Sequence, residues 1–83
     1  MPMYRFCVYE NGEHHAESSI ELVDLRAAET MARQYTGDLM RSRKVSILDA
    51  ELEVQVQDQL GLTLFCISVM GTFSAAAAKP VMP

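Results

Sequence analysis

Apolar and polar positions alternate near the start of the chain. Tyr4, Phe6 and Val8 are interleaved with Arg5, Cys7 and Tyr9. A period of two sends alternate side chains to opposite faces of a pleated ribbon, so residues 3–10 are predicted as a strand. Asn11-Gly12 follows, a pair suited to positive φ and hence to a turn. The polar stretch 13–19 reads as a longer hairpin loop or a frayed strand start. Residues 20–23 read as a short returning strand, with Ile20 and Leu22 on one face.

The period changes at Asp24. A short carboxylate there suits a helix N-cap, because it can accept from the free N–H groups of the first turn. Strong helix formers follow, and Leu25, Ala28, Ala32, Tyr35 and Leu39 recur at three- and four-residue steps as one apolar stripe. Glu29 and Arg33 stand four apart in the favourable order outside it. Gly37 is a flaw costing about 1 kcal/mol inside a helix. The helix is nevertheless predicted to run to about Arg41, which lets Leu39 and Met40 be covered. Residues 42–50 form a connector in which Val45, Ile47 and Leu48 tuck against the core edge.

Period two returns over residues 51–58, where Leu52, Val54 and Val56 alternate with Glu53, Gln55 and Gln57. Residues 58–61 read as a hairpin turn ending on Gly61. Residues 62–69 form the last predicted strand, apolar on both faces: Leu62, Leu64 and Cys66 on one, Phe65, Ile67 and Val69 on the other. The fold class is therefore α+β in the order β-β-α-β-β, an antiparallel sheet of two hairpins with one helix packed on one face. Residues 1–70 make one domain. Residues 71–83, with four consecutive alanines and two prolines, are expected to be a flexible tail. The open sheet face carries an interface candidate. If the first and last strands are neighbours, Cys7, Tyr9, Leu62, Leu64 and Cys66 make an apolar patch there.

Composition narrows the function classes. The chain has 83 residues, 49% apolar and 22% charged, a globular balance. A core this small rarely supplies more than roughly 3–5 kcal/mol, which makes self-association attractive. Net charge is −4, with acids crowding the first third. Such a surface repels phosphate backbones and anionic membranes. Arg41, Arg43 and Lys44 are too few for a nucleic-acid footprint and suit the negative end of the helix. No export signal and no apolar run long enough to cross a bilayer is visible, so a cytoplasmic location with reduced thiols is expected. A Cys7–Cys66 disulfide requires their strands to lie side by side.

The order and spacing of several motifs resemble a known family. Met1-Pro2-x-Tyr4-x-Phe6-x-Val8, Gly12, Glu21-Leu22-x-Asp24-Leu25-x-Ala27-Ala28 with Ala32, and Leu52-Glu53-Val54-x-Val56-x-Asp58-x-x-Gly61 are similar to a widespread family of short bacterial proteins of unknown function. The likeness covers roughly residues 1–70. It implies the fold and a bacterial origin, and supplies no activity. Cys7 stands where many members carry a histidine, and residues 14–19 lack the usual Asp/Glu-Gly turn. The chain resembles more loosely the partial-RNase-H-like antitoxins, which open strand–strand–helix. Their Asp-Leu-Pro-Gly turn is missing, since Val23-Asp24-Leu25 runs straight into the helix.

Candidate chemistry is sparse. His14 and His15, between Glu13 and Glu17, are the metal-ligand candidates. Adjacent side chains of an extended segment point to opposite faces, so the two imidazoles do not converge, and no second cluster completes a site unless Cys7 approaches. A solvated loop is the simpler reading. Cys7 and Cys66 lack a placed base and read as small strand hydrophobes. The four glycines are scattered and form no phosphate loop. The strand aromatics lack the neighbouring cations of an RNA platform. The sequence thus favours a non-enzymatic protein-interaction or self-associating module, with a homodimer or a protein partner and no cofactor, nucleic acid or membrane. The alternatives are a metal- or ligand-responsive sensor using His14, His15 and Cys7, and an antitoxin-like regulator of a partner protein.

Overall fold

The computed structural model describes residues 1–42 and 47–78. Two antiparallel hairpins lie side by side in one four-stranded sheet, and a long helix covers one face. The strands are β1 (Met3–Glu10), β2 (Glu13–Glu21), β3 (Ala50–Gln57) and β4 (Thr63–Gly71). Helix α1 (Leu25–Ser42) joins the hairpins, and α2 (Ala75–Ala78) is a single turn after β4. The strand order is β2-β1-β3-β4, with every pairing antiparallel. This is the predicted β-β-α-β-β arrangement.

The first turn is tighter than expected. Asn11 and Gly12 both have positive φ, at 52° and 84°. That is the backbone of a two-residue hairpin turn, and it pairs Glu10 directly with Glu13. Residues 13–19 are therefore strand rather than loop. They lack an apolar signal because β2 is an edge strand whose open face meets water. Ala16 and Ile20 supply its partly buried contacts with the core. The ladder slips once, between Val8 and Tyr9: Val8 faces Ala16 while Tyr9 faces His14, leaving His15 as the extra residue of a β-bulge. Asn11 also ties the turn to the second hairpin. Its N–H donates to the Glu51 carbonyl, and its Oδ1 accepts from the Glu51 N–H, both at 2.9 Å.

Asp24 caps α1 as its position predicts. Its Oδ1 accepts from the Ala27 N–H at 2.9 Å, and its carbonyl takes the first helical bond from Ala28. The buried line of the helix is Ala28, Ala32 and Thr36, which shifts the expected stripe. Leu25 is 49% exposed. Thr36 can be buried because its hydroxyl donates to the Ala32 carbonyl at 2.7 Å. Small residues at 28 and 32 let the helix settle close to Tyr4, Phe6 and Val8 of β1 and Leu52, Val54 and Val56 of β3, which form the core. Tyr35 meets Phe6 edge to face at 6.5 Å between centroids. Arg41 pairs with Asp38 inside the last turns. Arg43, Lys44 and Val45 lie outside the described residues.

The last strand starts one residue later than predicted and runs further. Leu62 belongs to the turn, where its N–H donates to Asp58 Oδ1 at 3.0 Å. Gly71 ends β4 in close contact with the connector. A Cβ there would come 3.2 Å from the Ile47 carbonyl oxygen, and Asp49 N–H donates to the Gly71 carbonyl. The region expected as a tail thus contributes its first residue to the sheet. Residues 75–78 are helical, and residues 79–83 lie outside the described residues.

Candidate functional site

Residues directly opposite in a ladder share a face, so the open face can be read row by row. One row runs Glu17, Cys7, Gln55, Cys66 across β2, β1, β3 and β4. The first and last strands are not neighbours, and the expected single patch divides in two. Cys7 and Tyr9 sit on β1, Leu64 and Cys66 on β4, and β3 with its polar Glu53, Gln55 and Gln57 lies between. Two strand spacings, roughly 10 Å, separate the backbones of Cys7 and Cys66, too far for a disulfide. Both cysteines are free. A second bulge between Val56 and Gln57 leaves Thr63, not Leu64, opposite Gln57, with Leu64 as its extra residue. Leu62 is therefore out of step with Cys66.

The β1 half of the face gathers polar chemistry. Side chains three apart on a regular strand point to opposite faces, but the extra residue at His15 restores the phase. His14, opposite Tyr9, and Glu17, opposite Cys7, share the open face as a result. His14 Nε2 lies 3.4 Å from Glu17 Oε1, and Arg5 Nε lies 3.5 Å from Glu17 Oε2. The Tyr9 ring meets the imidazole edge to face at 5.5 Å. Cys7 is buried beneath them. A ligand atom from each of Cys7, His14 and Glu17 falls within 4.8 Å of the other two. Burial pushes the Cys7 thiol above its ordinary pKa, the Glu17 carboxylate adds to this, and Arg5 partly opposes it. His15 points elsewhere, with Nε2 at 3.5 Å from Glu10 Oε2. The two histidines do diverge as the strand pattern predicts.

The β4 half is an edge of different character. Thr63–Gly71 contains no charged residue and no proline. The opposite edge, β2, carries Glu13, His14, His15, Glu17 and Glu21. Leu64 and Met70 are exposed on β4, at 40% and 62%. On the helix side, Phe65 and Ile67 are partly buried. They floor a groove of about 470 Å³ walled by Leu25, Glu29 and Arg33 of α1. Among the described residues, no helix is long and apolar enough to cross a membrane.

A family model for a domain of unknown function, DUF6894, matches residues 3–70. The chain belongs to the DUF6894 family. No curated protein and no solved structure matches it. The DUF6894 span takes in α1 and all four strands except Gly71, so it includes both the Cys7–His14–Glu17 group and nearly the whole β4 edge. It leaves out α2.

The sequence pointed to Cys7, His14, Glu17 and Cys66, but the bulge that brings Glu17 onto the face of Cys7 had no sequence signal. Glu29 and Arg33 read as an exposed helical pair, and only the position of α1 over β3 and β4 turns them into walls of a groove. The absence of charge from residues 63–71 was the available signal for an edge strand of this DUF6894 domain, but strand order is needed to use it.

Proposed function

We propose that this DUF6894 domain is a non-enzymatic self-association module, in which β4 of one copy pairs antiparallel with β4 of a second. The observation that carries the reading is the difference between the two sheet edges. Edge strands expose unpaired N–H and C=O groups, and charged residues or proline ordinarily discourage their pairing. β2 carries such charges and β4 does not. The eight residues ahead of Gly71, which the connector covers, give β4 at about 3.4 Å each an edge about 27 Å long.

The surroundings of that edge favour a second copy of the same chain. A two-fold axis through the middle of β4, near Ile67, makes the contact self-complementary. Because α1 reaches β4 as well as β3, antiparallel pairing of the two β4 strands puts both helices on the same side of the joined sheet, flanking the new seam. Glu29 and Arg33 wall the groove one helical turn apart. The two-fold operator sets Glu29 of each copy against Arg33 of the other. Leu25, Phe65 and Ile67 from both copies then close over one another, adding apolar burial to a small core.

The test is sedimentation equilibrium over a concentration series, with hydrogen exchange measured on the same samples. The expected result is a dimer mass at high concentration together with slowed exchange of amides in residues 63–71. A monomer at every concentration refutes self-association. A dimer whose protection is confined to β2 refutes the β4 edge, and a different protein recovered in fixed ratio on β4 would replace the second copy as occupant.

A further inference from the structure

The group on the other half of the open face is independent of β4 and carries its own chemistry. We propose that Cys7, His14 and Glu17 form a site for one divalent transition-metal ion of the zinc or cobalt kind, with thiolate, imidazole and carboxylate ligands and a fourth position left to water.

Three structural facts converge on this. The first is distance. Bond lengths of about 2.0–2.3 Å at a tetrahedral ion put ligand atoms roughly 3.3–3.7 Å apart. The three atoms already lie within 4.8 Å of one another, and His14 and Glu17 are exposed side chains able to close the difference. The second is orientation. Glu17 turns Oε2 toward Arg5 and Oε1 toward His14 Nε2, so one oxygen is held by a cation while the other faces the ligand position. The Tyr9 ring packs against the imidazole and limits its rotation. Supports of this kind fix ligands for a metal. The third is local architecture. The bulge at His15 is what places His14 and Glu17 on the face of Cys7, and bulges re-aim side chains at functional positions.

The donor set selects the ion. One sulfur, one nitrogen and one oxygen suit zinc or cobalt and not magnesium or calcium, which take oxygen ligands. Binding exchanges a proton for the metal: the Cys7 S–H bond breaks, a metal–sulfur bond forms, and the proton leaves to solvent. The thiolate and carboxylate together neutralise the two positive charges of the ion. His15 and Cys66 have no part in the site.

The full reduced chain is titrated with Co²⁺ and followed by absorption, then challenged with Zn²⁺. The expected result is a thiolate-to-cobalt charge-transfer band that saturates at one ion per chain, disappears on adding Zn²⁺ and is absent from Cys7→Ser. His14→Ala and Glu17→Gln should each weaken binding by at least about 10-fold, whereas His15→Ala and Cys66→Ser should leave it unchanged. His14 and Glu17 are exposed, so their variants keep the test decisive even where Cys7→Ser impairs folding. The proposal is overturned by a titration without the charge-transfer band, by a band lost in Cys66→Ser, or by equal weakening in His14→Ala and His15→Ala.

Discussion

Replacing Ser68 with lysine separates the stability of one chain from the pairing of two. Ser68 is exposed on β4 and stands opposite Glu53 of β3. Within one chain the new ammonium group gains an opposite-charge cross-strand partner, worth about 0.2–1 kcal/mol. The monomer should therefore keep its melting temperature or gain slightly. Between two chains the effect reverses. Position 68 is one residue from the middle of β4, so antiparallel pairing about Ile67 makes the two ammonium groups diagonal neighbours, about 7 Å apart. Two like charges at that distance repel by about 0.6–2.4 kcal/mol for effective dielectric constants of about 80 to 20. That corresponds to a roughly 3- to 60-fold weaker dimer. Glu53 beside each ammonium offsets part of the repulsion, which places Ser68→Lys toward the low end. Ser68→Lys with Glu53→Gln removes the offset and should weaken the dimer further. Sedimentation velocity gives the dissociation constant, and thermal unfolding at low concentration gives the monomer stability. An unchanged dissociation constant in both variants, with the melting temperature maintained, would refute pairing through β4.

Other perturbations test the frame that holds these surfaces. Val54 is fully buried, and Val54→Ala removes two methyl-sized groups from beneath α1. Denaturant unfolding should show a loss of about 2–3 kcal/mol, and a loss under 1 kcal/mol would mean that the helix closes over the gap. Asp24→Ala removes the oxygen that accepts from Ala27. It should cost about 1 kcal/mol, seen as a fall of about 4–8 °C in melting temperature, while Asp24→Asn should cost little. Both thiols are raised from the ordinary 9.0, Cys7 chiefly by burial and Cys66 chiefly by its hydrogen bond to Glu53. The folded chain then holds protons that the unfolded chain releases. The thiol contribution to stability is full below about pH 9 and declines above it. Denaturation midpoints followed into the alkaline range should fall less steeply for Cys7→Ser than for the natural chain, and identical slopes would refute the assignment.

The parts of the fold that were legible in the sequence are those where one residue sets the local geometry or where alternation is strong. Asn11-Gly12 announced its turn, Asp24 its cap, and Leu52, Val54 and Val56 their buried face. Residues 13–19 were not legible as strand, because an edge strand with a wet outer face needs few apolar residues. Thr36 escaped the apolar stripe because its burial depends on a hydrogen bond to the carbonyl one turn back. Neither bulge had a sequence signal, and each moved a functional inference: the one at His15 brought Glu17 to Cys7, and the one between Val56 and Gln57 took Leu62 away from Cys66. Strand order also lay beyond local patterns. Hairpins follow from turns, but the pairing of β1 with β3 depends on residues distant in the chain.

That central pairing governs how the chain reaches its native state. Each hairpin can form from neighbours in sequence, within microseconds. The seam between β1 and β3 must instead join positions such as Asn11 and Glu51, 40 apart. Closing a loop of that length costs about 3 kcal/mol beyond a constant term before any seam contact offsets it. The expected slow step of folding is formation of this seam, and the expected effect of destabilising either hairpin is slower folding. A chain cut between residues 42 and 47 would convert this closure into an encounter between two molecules. Its folding rate would then rise with the concentration of the halves.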